Sequence, residues 1–284
     1  MSIFERYFFL KHFKNLMKKT VHKPGTTAII LRGDLRGYKY IVNDNSGWAP
    51  IYGGWEPFSE KVYRRFIKKG DVVYDVGANT GITSLLFSKL VGNAGKVVAF
   101  EPVPANAEEI ENVITLNGIK NITLIMKALS DRSGMTLFHL GKSNKSGSLV
   151  RIGKESGETM DVEEASLDDL IMEGIPHPSF IKIDAEGIAG RILEGFSRSI
   201  QIYLPLLYIE LHTPEEDLEV AKFLMKEGYR IYRVKDPTAV RVNHQKQMLS
   251  YIKNMESSWP DPCGVWGTIL SLHETRRIHS YGKL

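Results

Sequence analysis

The chain has 284 residues, of which 43% are hydrophobic and 25% charged, with 25 glycines; these proportions of an ordinary globular protein exclude disordered and collagen-like classes. Its single cysteine, Cys263, excludes an internal disulfide framework and any multi-cysteine metal centre, and fits a reducing, cytoplasmic setting. A net charge of +4 suits an anionic ligand or partner but falls short of a nucleic-acid footprint unless it is clustered, and no apolar run is long enough to span a bilayer.

The length suits one large domain with an appendage, divided here as residues 1–50 and 51–284. Residues 1–23 alternate basic and apolar groups at helical spacing, with Arg6, Lys11, Lys14, Lys18, Lys19 and Lys23 against one acid, Glu5. No small-residue cleavage site follows, so the segment is not a secretory signal. It reads as an amphipathic helix packed on the domain, and the same pattern suits peripheral membrane contact. Pro24 and Gly25 end it, and TTAIILRG and GYKYIVND follow as two short strands of a hairpin. A glycine-rich stretch, GGWE, then leads to a helix running from Ser59 to Gly70.

From there strands and helices alternate. Strands are expected at 72–76, 97–101, 122–126, 179–184 and 206–211, with helices at 81–91, 105–117, 167–173 and 187–196 between them. That order implies a parallel sheet covered by helices on both faces. MTLFHL, GSLVRI and ETMDV, within 134–163, have no helix between them and read as antiparallel strands inserted after the third main strand. Thr213 and Pro214 start a helix over 214–227, followed by strands at 229–234 and 265–272. The last pair is expected to be antiparallel, with a further helix over 244–255 as an option.

Ligands of such a sheet bind beyond the carboxyl ends of the strands, at the switch point. The first strand there ends in Asp75-Val-Gly77-Ala78-Asn79-Thr-Gly81, whose glycines let the backbone turn sharply and expose its amides to a ligand. A dinucleotide wants a third glycine and an uncharged approach for its pyrophosphate, whereas this loop has an acid two residues before the first glycine. S-adenosylmethionine carries an ammonium and a sulfonium and no phosphate, so Asp75 suits its amino-acid end. Glu101, ending the second strand, is placed to accept both ribose hydroxyls, with Pro102 as an apolar wall. At the end of the third strand, Ala128 and Leu129, with Lys127, are expected at the adenine edge.

DVGANTG (75–81), FEPVPAN (100–106), SLDDLI (166–171), IKIDAEG (181–187) and YIELH (208–212), in that order, resemble the FkbM family of S-adenosylmethionine-dependent methyltransferases, with GGWE (53–56) as a similar lead-in. The resemblance covers residues 51 to 235 and not the segments before 50 or over 236–264, where acceptor choice is expected to reside. It implies a class I methyltransferase, a Rossmann-like α/β sheet of about seven mostly parallel strands with the last antiparallel. It also implies a cofactor contact at Glu56 and O-methylation, commonly of a sugar, glycan or natural-product hydroxyl.

Methyl transfer to an unactivated hydroxyl needs alignment, water exclusion and a proton acceptor. Asp184, Glu186, Glu210 and His212 stand at the ends of the fourth and fifth strands. Glu210 and His212 share a strand face, so the carboxylate is expected to orient the imidazole as the base. Asp184 serves as base or holds the cofactor's ammonium or the acceptor. The same carboxylates and histidine would suit a hard cation such as Mg²⁺, a lesser option beside a metal-free site. A small-molecule or glycan acceptor is expected; RNA modification through the basic Lys142–Arg151 loop and a non-catalytic cofactor-binding role are the alternatives.

Overall fold

The computed structural model describes residues 25–42, 49–52, 57–141, 147–150, 158–235, 238–242 and 267–275. The amphipathic segment 1–23, Glu56 with the GGWE stretch, the basic 142–151 loop apart from its described residues 147–150, Cys263 and the optional helix 244–255 lie outside them. Fourteen strands are present among the described residues: β1 (Thr27–Ile29), β2 (Lys39–Ile41), β3 (Val72–Val76), β4 (Lys96–Phe100), β5 (Ile122–Ile125), β6 (Ala128–Leu129), β7 (Gly134–Leu140), β8 (Gly147–Ser148), β9 (Thr159–Ala165), β10 (Phe180–Ile183), β11 (Leu206–Glu210), β12 (Tyr229–Lys235), β13 (Thr238–Val242) and β14 (Thr268–His273). The helices are α1 (Pro57–Phe66), α2 (Ile82–Val91), α3 (Pro104–Asn117), α4 (Leu167–Met172), α5 (Ala189–Glu194), α6 (Ser199–Tyr203) and α7 (Pro214–Lys226).

The main sheet runs β13-β12-β14-β11-β10-β3-β4-β5. β5, β4, β3, β10 and β11 pair in parallel, whereas β14 is antiparallel to both β11 and β12 between which it lies. This is the class I methyltransferase sheet, extended at one edge by β13, which the sequence reading did not place. The central strands are near-continuous apolar runs because helices cover both faces. One face packs Tyr63 of α1, Leu85 and Phe87 of α2, Phe180 and Tyr208 with Ile30, Leu35 and Tyr40 of the β1–β2 region. The hairpin therefore shares a core with the main domain. The opposite face packs Tyr74, Val98, Ile181 and Ile209 under Leu170 of α4, Ile192 of α5 and Val220 of α7.

The inserted strands form a second sheet, β6-β9-β7-β8. Its β7 pairs are antiparallel as expected, but β6 pairs in parallel with β9, which makes the end of the third main strand the edge of the insertion. The helix expected over 187–196 is shorter, and α6 follows it after a break at Gly195. A Cβ on Gly195 would stand 2.1 Å from the Ser130 carbonyl oxygen, so two backbones meet there and the helix turns aside.

Candidate active site

An open cleft lies at the carboxyl ends of β3, β4 and β10. Gly77, Asn79, Glu101, Pro102, Ala128, Leu129 and Asp184 line it, seven of the residues expected to hold the cofactor. Phe138 of β7 and Gly147 and Ser148 of β8 close one side, and Ser148 Oγ donates to the Glu186 carbonyl, tying the inserted sheet to the turn after β10. The sequence reading put antiparallel strands after the third main strand without singling out these wall residues.

Three expected contacts differ. Asp75 does not line the cleft; its carboxylate is wholly buried, accepts a bond from Ser84 Oγ at 2.5 Å and lies 3.6 Å from Lys182 Nζ. The cause is register: in the parallel β3–β10 pair Lys182 stands directly beside Asp75, so the acid meets its cation inside the sheet. Ala78 and Gly81 also lie off the cleft walls, and a Cβ on Gly81 would come within 3.0 Å of Ile110 Cγ1, so that glycine lets α2 start against α3. Nor are the loop amides exposed for a ligand. Gly77 N and Ala78 N donate to the Phe100 carbonyl, Gly81 N to the Ala78 carbonyl, and Asn79 N to Glu101 Oε2 at 2.8 Å. Amides already spent inside the protein offer little to a pyrophosphate, and the turn fits a phosphate-free nucleoside better.

Glu101 is almost fully buried and joins the two loops of the cleft floor. Besides Asn79 N, it accepts bonds from Val103 N at 3.0 Å and Asn106 Nδ2 at 3.1 Å, both at Oε1. Burial pushes its carboxyl up to about 7, despite the donors from Asn106, Val103 and Asn79 that favour the charged form. Asn106, in the quoted FEPVPAN motif, was not recognised as its support.

Across Gly77 stands Asp184. A Cβ on Gly77, whose φ is +74°, would lie 2.0 Å from the Asp184 carbonyl oxygen, so the two turns touch backbone to backbone. Lys182 Nζ lies 3.1 Å from Asp184 Oδ2, and the His212 ring lies 3.4 Å from Oδ1 through Nε2. Burial opposes ionisation, yet Lys182 and His212 together hold the Asp184 carboxyl below the usual carboxylate range. Asp184 and Glu186 line the cleft, whereas Glu210 and His212 do not. The carboxylates flanking the His212 ring are Asp184 and Glu216, not the expected Glu210: the strand ends at Glu210, and the turn into α7 carries the ring toward that helix. Burial disfavours charge on His212, but those two carboxylates outweigh it and raise the imidazole to about 10. That arrangement favours the imidazolium over the ready base that the ordinary histidine value near 6.5 suggested. Among the described residues, no three His, Cys, Asp or Glu side chains group closely enough to hold a metal ion.

The Methyltransferase FkbM domain matches residues 75–231 of this chain, more than half of its length. The hexuronic acid methyltransferase AglP of Haloferax volcanii is 27% identical over 159 residues, which make up 55% of this chain and 62% of that protein. This chain thus spans a little under two thirds of that relative. The 31-O-demethyl-FK506 methyltransferase FkbM of Streptomyces tacrolimicus is 26% identical over 216 residues, covering 64% of this chain and 82% of its own length. A solved FkbM methyltransferase from Methylobacillus flagellatus KT aligns over 75% of this chain and 50% of that one, with 16% identity and a TM-score of 0.46. With three of the family's motifs, DVGANTG, FEPVPAN and IKIDAEG, meeting at one cleft at the switch point of a class I sheet, the chain belongs to the FkbM methyltransferase family, and its cofactor is S-adenosylmethionine.

Proposed function

We propose that the protein transfers the methyl group of S-adenosylmethionine to a hydroxyl oxygen of a sugar, glycan or natural-product acceptor. The observation that supports this most is the pairing of Asp184, on the cleft wall, with His212 at 3.4 Å. A carboxylate and an imidazole beside an open cleft give a neutral hydroxyl a route for its proton. S-adenosylmethionine supplies the electrophilic methyl carbon. Glu101 accepts the ribose hydroxyls, Pro102 walls the nucleoside, and Ala128 and Leu129 face the adenine edge. Asp184 takes the cofactor's ammonium, while Asp75 acts at one remove by holding Lys182 in place.

The names of the two relatives point the same way, since one acts on a hexuronic acid and the other on a demethylated oxygen. The test incubates the purified protein with methyl-labelled S-adenosylmethionine and, separately, uronic-acid oligosaccharides, neutral oligosaccharides, macrolide alcohols and total RNA. Alkali-stable label in a sugar or macrolide, the signature of a methyl ether, is the expected result. Alkali-labile label would move the acceptor atom to a carboxylate, and label confined to RNA would replace the acceptor class.

A further inference from the structure

The His212 ring sits between two carboxylates, of which only Asp184 faces the cleft. The other, Glu216, lies 3.8 Å from Nδ1 and is 3% exposed. It is pinned by two backbone donors: Oε2 accepts from His212 N at 2.7 Å, and Oε1 accepts from Ala189 N at 2.9 Å. One buried carboxylate thereby fastens the β11–α7 turn to the first residue of α5, and α5 follows directly on the Asp184 turn. The ring's place against Asp184 is fixed from behind by Glu216.

Lys182 stands behind Asp184, and Asp75 behind Lys182. Glu210 ends β11 two residues before His212, Glu186 comes two residues after Asp184, and Glu215 precedes Glu216 in the first turn of α7. With Asp184 and Glu216 both ionised, His212 is stabilised as a cation, which fills the base with a proton before any acceptor arrives.

We propose that Glu216 is a positioning residue of the methyl-transfer site: it holds His212 against Asp184 as an imidazolium, and the cofactor's ammonium, once Asp184 takes it up, loosens the ring's hold on that proton. This rests on the placement of that ammonium at Asp184 given under the proposed function. A unit charge about 5 Å from the ring, in surroundings with an effective dielectric of about 20, would lower the imidazole midpoint by about two pH units, which raises the neutral fraction about a hundredfold while leaving it a minority at neutral pH. A neutral ring would then receive the acceptor's hydroxyl proton by way of Asp184, which faces both Nε2 and the cleft, as the methyl carbon bonds to that oxygen and its bond to sulfur breaks, the electron pair staying on sulfur.

The experiment follows the ring directly by NMR. The eight histidines are isotope-labelled, the His212 signal is identified by its loss in His212→Gln, and its pH titration is recorded with and without saturating S-adenosylhomocysteine, which carries the same ammonium and cannot turn over. In the wild-type protein the His212 midpoint is expected well above the ordinary histidine value, falling by about two pH units when S-adenosylhomocysteine binds. Glu216→Gln lowers the midpoint in both states while S-adenosylhomocysteine affinity, read from the same titrations, changes by less than about threefold. If that variant does not fold, Glu216→Asp, which keeps the charge but shortens its reach, takes its place with the same expected direction. An unmoved His212 midpoint on S-adenosylhomocysteine binding, or an unmoved midpoint in a folded Glu216 variant that is merely less stable, overturns the inference. Asp184→Asn separates the underlying reading: unchanged S-adenosylhomocysteine affinity in that variant removes the ammonium from Asp184, whatever His212 does.

Discussion

Burial and hydrogen bonding act in opposite directions on Glu101, and burial wins. A carboxyl held near 7 binds its proton more tightly in the folded chain than in the unfolded one, where its ordinary value is 4.5. Its contribution to stability is therefore full below about pH 4.5 and is lost as the pH rises to about 7. Ligand binding has the opposite sign. Ribose hydroxyls donate best to the ionised carboxylate, so cofactor affinity is expected to weaken as the pH falls below 7, approaching tenfold per pH unit. Calorimetric titration with S-adenosylhomocysteine from about pH 6 to about pH 8.5 checks this. Glu101→Gln should flatten that slope and weaken binding at the alkaline end by about 1–3 kcal/mol; a slope retained in the variant would assign the proton to another group. The sequence announced Glu101 because an acid at a strand end beside a glycine turn is a local signal. It misdirected Asp75 because what neutralises that acid, Lys182, lies 107 positions along and reaches it only through strand register. Glu216 escaped for the same reason: its partners, His212 and Ala189, meet it through a turn and a helix start whose packing no local pattern encodes.

Elements with chemical punctuation were legible almost to the residue. Thr213 caps α7 by accepting from Glu216 N at 3.1 Å, Pro214 sits at the first helical position, and Glu215, Glu216 and Asp217 fill the first turn. Ser166 caps α4 likewise through Asp169 N. The cap at α7 also orients the carboxylate that backs His212, so Thr213→Ala tests an element and the site together. It is expected to cost about 1 kcal/mol of stability by urea denaturation. A cost near zero would show that the turn is held by the Glu216 bonds to His212 N and Ala189 N without the cap. Elements without such marks were the ones missed. Among the described residues, β13 is a five-residue edge strand with a ladder on one side only, and β6 is two residues long. Strands this short take their conformation from a neighbour's hydrogen bonds, which a one-dimensional pattern does not contain. The second sheet's order, with β9 inside, is invisible for a related reason: alternation identifies strands, while their pairing is settled by which apolar faces meet Phe138, Leu140 and Val162 over the main core.

Across the whole molecule, the cofactor cleft and the sheet's closure draw on different stretches of chain. Among the described residues, every one that lines the cleft falls between Val76 and Ile188, and none comes from the β1–β2 region or from β11, β12, β13 or β14. The sheet, by contrast, depends on its far end, because β14 inserts between β11 and β12 and pairs with both. Ile269, Leu270, Ser271 and Leu272 of that strand are essentially inaccessible to solvent, so its removal would uncover two strand edges and the apolar sides of both core faces at once. Two truncations should thus behave oppositely. Removing residues 1–20 is expected to leave soluble protein whose S-adenosylhomocysteine affinity stays within about threefold of the full chain, with any change confined to acceptor turnover or vesicle binding. Removing residues 267–284 is expected to give aggregated protein with no measurable binding, although none of the described residues among them lines the cleft. Soluble yield and calorimetry on the two truncated chains decide the matter. Aggregation of the first would make segment 1–20 part of the core, in place of the separable appendage that its basic, amphipathic pattern implies; a soluble, ligand-binding second truncation would show that β11 and β12 can close the sheet without the strand between them.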